Sequence, residues 1–289
     1  MSQVTSGGPG LVSTARSRLG QVWRLDRRDV AAPVRRDAWT QVWLVLALSL
    51  GASAVSAVLQ LAQVLTAPGG LRAGIAPLHR SLSSVPVFDL LRQLASLAFS
   101  LAPVVLALYL LGGPLVAGTR AGWAVACRRI GFDRRRPATD LTLGALLATA
   151  IGVPGLLLYL GAHAAGLAVT VNPGNLPAQW WSWVVYVLSA AENAVLEETI
   201  VVGFVLTRLR AAGVGLGPAV AFSAVLRGSY HLYQGFGAFV GNAVMGVVFA
   251  AVYRRTGRVM PLVVAHTLID IVAFVGYALL AGHVSWLPA

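Results

Sequence analysis

Residues 180–206 read WWSWVVYVLSAAENAVLEETIVVGFVL. The run is long enough to cross a bilayer, whose hydrocarbon core takes about 20 helical residues. Yet it carries three carboxylates, Glu192, Glu197 and Glu198. Ionisable groups at bilayer depth are costly and are functional candidates by default. Acids inside such a run predict a membrane helix with one face turned to a polar interior.

The rest of the chain agrees with a bilayer as solvent. Of its 289 residues, 57% are hydrophobic and 11% are charged, with a mean hydropathy of +0.75. An ordinary soluble domain carries about 25% charged residues, and a chain with so few could not cover a water-exposed surface. Six more apolar runs occupy residues 43–66, 87–111, 141–169, 214–232, 236–253 and 259–280. The fold expected is all-α, a polytopic transmembrane helix bundle of about seven spans. Residues 113–126 are moderately apolar and read as an interfacial element or an extra half-span, which would make eight. Three regions follow: an Arg-rich tail over 1–38, N-terminal spans over 39–178, and a core over 179–283 that holds the chemistry.

The net charge is +12, and all 22 basic residues are arginine. A nucleic-acid partner would need these on one folded, water-facing patch. Instead they lie almost entirely between the apolar runs, which suits topology signals and contacts with anionic lipid. With the N-terminus in the cytoplasm, the inner segments hold the tail arginines, the group from Arg120 to Arg136, then Arg208, Arg210, Arg254, Arg255 and Arg258. The outer segments hold only Arg72 and Arg80. This asymmetry supports an inside N-terminus. No short apolar stretch with a cleavage site opens the chain, and Cys127 alone excludes an intrachain disulfide. The loop VTVNPGNLPAQWW carries no charge and ends in an interfacial aromatic pair.

Asp89 and Arg92 lie near the start of run 87–111, where the Arg can snorkel, and the remaining ionisable groups well inside the apolar runs lie in the C-terminal half: Arg227, His231, His266 and Asp270. Arg227 and His231 are four apart, as are His266 and Asp270, so each pair shares a helix face. Glu197 and Glu198 point about 100° apart, and Asn193 stacks one turn before Glu197. Three helices therefore each offer polar groups to one interior. Such a set can do hydrolysis in three ways. A carboxylate can take a proton from water. Two histidines and a carboxylate, here Glu197, His231 and His266, can hold a divalent metal such as zinc with an open position. A histidine with an acid can stabilise an oxyanion. The same residues taken singly also fit a structural Glu–Arg227 pair, a core hydrogen bond between His266 and Asp270, or a proton relay in a transporter. His79 and His283 read as solvated, and His163 as interfacial. One difficulty is depth: on a straight fifth span His231 falls near the outer end, so that span has to be short, tilted or re-entrant. Gly215, Gly217 and Pro218 could begin it late.

The segments LEETIVVGF, SYH and AHTLID, in that order on separate helices, resemble the CPBP intramembrane protease family. That group includes the CAAX prenyl endoproteases and bacterial Abi-type proteins. Its pattern is a Glu-Glu pair with Arg four residues on, a Phe with His four on, and a His with Asn or Asp four on. Glu197 and Glu198, His231, and His266 with Asp270 match it. The resemblance covers roughly residues 179–281. Two positions depart: Val202 stands where the family has Arg, and Arg227 where it has Phe. This predicts that one guanidinium has moved, and that Arg227 partners the acids from span five. The resemblance implies an intramembrane endopeptidase in which Glu197 activates water, Glu198 supports it, His231 positions the water, and His266 with Asp270 stabilises the oxyanion. It leaves open whether one zinc takes part. The implied partners are the lipid bilayer and a membrane-associated peptide or protein substrate, with no nucleic acid. The composition reads as bacterial, and the expected location is a bacterial cytoplasmic membrane. A non-catalytic scaffold or immunity-type binder of the same fold and a proton-coupled transporter are the other readings.

Overall fold

The computed structural model describes residues 32–113, 118–174, 179–280 and 283–284. Most of the expected tail lies outside this range, but its last part is helical. Helix α1 (Ala32–Ala47) starts eleven residues before the apolar run at 43, and α2 (Leu50–Thr66) leaves it at 53°. Ser49 at the elbow donates its hydroxyl to Val45 O at 2.6 Å, the back-bonding that bends helices. There follow α3 (Gly70–Ala73), strand β1 (Ile75–His79), α4 (Pro86–Ser100), α5 (Ala102–Gly112), α6 (Arg120–Ile130) and α7 (Pro137–Ala164). Strand β2 (Thr170–Gly174) leads to α8 (Trp180–Glu197), a π-helical segment (Glu198–Phe204) and α9 (Val205–Ala211). The chain ends with α10 (Leu216–Ser229), a 3-10 turn (Leu232–Gln234), α11 (Phe236–Thr256) and α12 (Met260–Leu280).

The bundle is inside-out relative to a soluble protein. On α7, Leu146 and Leu157 are 63% and 65% exposed, and on α12 Val272 is 70% exposed. Apolar surface of this extent needs lipid against it, and the chain is an integral membrane protein. Among the described residues four helices are long and apolar enough to cross a membrane: Pro86–Gly112, Pro137–Ala164, Phe236–Thr256 and Met260–Leu280. The bent pair α1–α2 makes five if it counts as one span. The reading of seven spans also included runs 180–206 and 214–232. The first carries the acids, and the second folds as a 14-residue α10. At about 1.5 Å per residue α10 is about 21 Å long, short of an approximately 30 Å hydrocarbon core. Both exceptions hold the polar chemistry.

Two features were not foreseen. The charge-free loop contains β2, which pairs in parallel with β1, Ile75 opposite Thr170 through His79 opposite Gly174. Val169 N–H donates to Gln234 O at 3.1 Å, and Phe236 N–H to Leu167 O at 2.9 Å, tying this cap to the turn after His231. His79, read as solvated, instead packs edge-on against Tyr186 and Phe274, with ring centroids 4.9 and 4.7 Å away. The second feature is a bolt at the opposite end. Arg258 reaches Asp140 with Nε and Nη2 at 2.9 and 2.7 Å and Asp133 Oδ1 at 3.0 Å. Burial opposes ionisation of Asp133, but the backbone N–H of Arg135 and the Arg258 guanidinium outweigh it and hold its carboxyl below the usual carboxylate range.

Gly131 makes the bolt possible. Its φ is +65°, and an added Cβ would lie 2.5 Å from Arg258 Cα and 2.6 Å from Gly257 O. Both obstacles are backbone and cannot rotate away. Gly131→Ala should therefore lower the unfolding midpoint, at a cost of about 1–3 kcal/mol for the strained backbone alone. Thermal unfolding in detergent reads this; an unchanged midpoint would show that the 130–140 loop is not held as described.

Candidate active site

The site grows from an irregularity in one helix. Directly after Glu197 the α-helix widens into the π segment, a form concentrated at functional sites. Ser223 of α10 donates to Val201 O within it at 3.0 Å. Small residues let α10 and α11 close around a large cation: a Cβ on Gly228 would lie 2.8 Å from Phe239 O, and one on Gly246 would lie 3.0 Å from Ala224 Cα and 3.4 Å from Arg227 Cδ. Arg227 is fully buried, with its guanidinium carbon 5.4 Å from the Phe249 ring centroid, a cation–π distance.

Arg227 Nη2 donates to Glu198 Oε1 and Oε2 at 2.7 and 2.8 Å, and Nη1 donates to Glu197 Oε2 at 3.2 Å. The guanidinium thus holds both acids from α10. His266 Nδ1 lies 2.7 Å from Glu198 Oε1, and its Nε2 lies 3.6 Å from Asp270 Oδ1. Asn193 lies beside Asp270. His231 Nε2 is 3.8 Å from Glu197 Oε1, within ion-pair reach but beyond direct hydrogen bonding, and neither ring nitrogen of His231 has a hydrogen-bond partner among the described residues. Glu197, Glu198, Arg227, His231, His266, Asp270 and Asn193 therefore converge. The depth difficulty disappears because α10 is short: it ends at Ser229, so His231 follows it at the level of the acids.

One member was missed. Tyr230 O–H donates to Glu197 Oε2 at 2.6 Å. It follows Arg227 by three residues, a spacing that faces the same interior. The two Glu197 oxygens consequently differ. Oε2 is held by Arg227 and Tyr230, whereas Oε1 lies 3.8 Å from the imidazole of His231.

For a metal, Glu197, Glu198 and His266 bring one donor atom each within 4.8 Å of one another. His231 is not part of that cluster. The set suits a cation poorly: Arg227 engages both oxygens of Glu198, and His266 Nδ1 faces one of them. The guanidinium already supplies the positive charge that a divalent ion would bring.

No curated protein and no solved structure matches the chain significantly. A family model described as type II CAAX prenyl endopeptidase Rce1-like matches residues 179–272, the segment that supplies every residue of this cluster. Over residues 179–272 the chain is therefore similar to the CAAX-type family of proteases.

Proposed function

We propose that the protein is an intramembrane endopeptidase that hydrolyses a peptide bond of a membrane-associated protein or peptide with a water activated by Glu197. The observation that carries this reading is the asymmetry of the Glu197 carboxylate. One oxygen is fixed by Arg227 and Tyr230, and the other faces His231 Nε2 across 3.8 Å. A water between Oε1 and Nε2 would be aligned by both and would give its proton to Glu197. Glu198 acts indirectly, holding Arg227 and His266 in place. His266, oriented by Glu198 and backed by Asp270, presents its ring to the developing oxyanion. No step passes through a metal. The N-terminus would lie on the cytoplasmic side of a bacterial cytoplasmic membrane.

The test is cleavage of a lipid-anchored peptide in proteoliposomes, with isotope-labelled water and mass spectrometry of the new carboxyl terminus. Labelled oxygen in that terminus is expected, and the rate should survive prolonged treatment with a zinc chelator. Loss of activity on chelation, restored by zinc alone, would replace the metal-free reading. No cleavage by the wild type would favour the binder or the transporter.

A further inference from the structure

Arg227 and Arg258, the two buried guanidiniums among the described residues, each meet a pair of carboxylates. Arg208, half-buried near the end of α9, has no carboxylate at ion-pair distance among the described residues. Its Nη2 donates to Leu110 O in the last turn of α5, and its guanidinium carbon lies 5.7 Å from the Phe204 ring centroid. Arg129 of α6, exposed to the surface, donates from Nη1 to the next carbonyl, Leu111 O, at 3.4 Å. Two cationic heads thus share one helix end. Nε of Arg208 is buried without an acceptor. Nη1 of Arg208 and Nη2 of Arg129 make no hydrogen bond among the described residues. Asp37 of α1 attracts Arg208 from beyond ion-pair distance, but its Oδ2 already accepts from Gln41 Nε2 at 2.7 Å. Arg210, two residues on from Arg208, adds a further positive charge beside Arg129. A helix C-terminus carries roughly half an elementary negative charge, which leaves most of this positive charge uncompensated.

We propose that Arg129 and Arg208 form a binding site for the headgroup phosphate of an anionic lipid at this end of the bundle. Each guanidinium spends one Nη on a carbonyl and keeps the other, and a phosphate can accept from both at once. Ile130 O accepts from Val259 N–H at 2.9 Å, which puts Arg129 at the end that holds the Arg258 bolt. The arginine asymmetry turns that end to the cytoplasm, and basic pockets between membrane helices on that side bind anionic headgroups. The same α5 offers surface to the tail: Val105 and Tyr109, four residues apart, are both exposed, an apolar strip for an acyl chain running inward. A free phosphate would use the guanidiniums but not the strip. Bound there, the lipid clamps α6 and α9 onto α5, and α9 continues the π segment that begins at Glu198. The site stands apart from hydrolysis, and its occupancy is read without a substrate.

The test uses the full chain in detergent, with phosphatidylglycerol and phosphatidylcholine of identical acyl chains as probes. Native mass spectrometry should show phosphatidylglycerol retained in preference to phosphatidylcholine, and its addition should raise the unfolding midpoint. Arg208→Gln and Arg129→Gln should each weaken phosphatidylglycerol binding about five-fold, the worth of one arginine near an anionic surface. Arg128→Gln removes the same charge from the exposed neighbouring residue and should hardly change binding. An equal loss in Arg128→Gln would mean a diffuse positive surface and overturn the site, as would equal retention of the two lipids. A midpoint raised as much by inorganic phosphate alone would make free phosphate the ligand and overturn the lipid. Should Arg208→Gln fail to fold because Leu110 O loses its donor, the exposed Arg129→Gln decides: unchanged phosphatidylglycerol binding there overturns the site.

Discussion

Glu197→Gln should abolish peptide cleavage while leaving the protein folded. The amide has nearly the shape of the acid, so its oxygen can still accept from Arg227 or Tyr230, which lie 3.2 and 2.6 Å from the native Oε2. What it lacks is basicity at the position facing His231. Loss of a general base lowers the rate by about 10²–10⁴-fold, and turnover in the bilayer should fall by at least the lower of these. The unfolding midpoint should move little. Activity within a few-fold of wild type would remove Glu197 as the base and leave another group of the site to activate the water. Glu198 offers a contrast, since both its oxygens bond Arg227 and one also faces His266.

Arg227→Phe should be the most destabilising single change in the site. It restores the family's aromatic at that position but removes the cation between two buried carboxylates. Breaking a buried pair from one side costs about 3–5 kcal/mol, because a charge is left without compensation. Val202 is fully buried within the π segment, four residues after Glu198. Adding Val202→Arg to Arg227→Phe returns the guanidinium to the position that the family pattern gives it. The double variant should regain both stability and cleavage relative to Arg227→Phe alone, whereas Val202→Arg alone should be destabilised by a second buried cation. Equal behaviour of the double variant and Arg227→Phe would end the idea of a moved guanidinium.

The residues that meet at this site were legible for a simple reason. An apolar run has few ionisable groups, so each one stands out, and spacings of four place pairs on one face. Arg227 was legible as a partner of the acids because a cation missing at Val202 reappears at a neighbouring helix. What could not be read is non-local or irregular. Glu198–Phe204 contains nothing in its composition that announces a π-helix. Tyr230 lies beside Arg227 in the fold, but a tyrosine in a membrane segment reads first as a packing or interface residue. The strands IAPLH and TVNPG each contain a proline and pair across 95 positions, Ile75 to Thr170. Arg258 meets Asp140 across 118 positions. Periodicity reports the neighbours of a residue along one helix, and it is silent on which distant loop will supply its counter-charge. The length of α10 lay between these cases: Gly215, Gly217 and Pro218 allowed a late start, but only packing against the neighbouring helices fixes it.

The two ends of the bundle are secured independently. His231 hangs from the strand cap through the turn that Val169 and Leu167 hold, while α12, which carries His266, begins at the Arg258 bolt on the other side. The imidazoles are thus suspended from opposite ends of the bundle, and their relative height depends on the tilt of the helices between the two anchors. A lipid whose acyl chains are too short or too long tilts or compresses the helices to match, at fractions of a kcal/mol per Å. Acyl-chain length should then act as a spacer between His231 and His266, so that membrane composition becomes a setting of the site's own geometry.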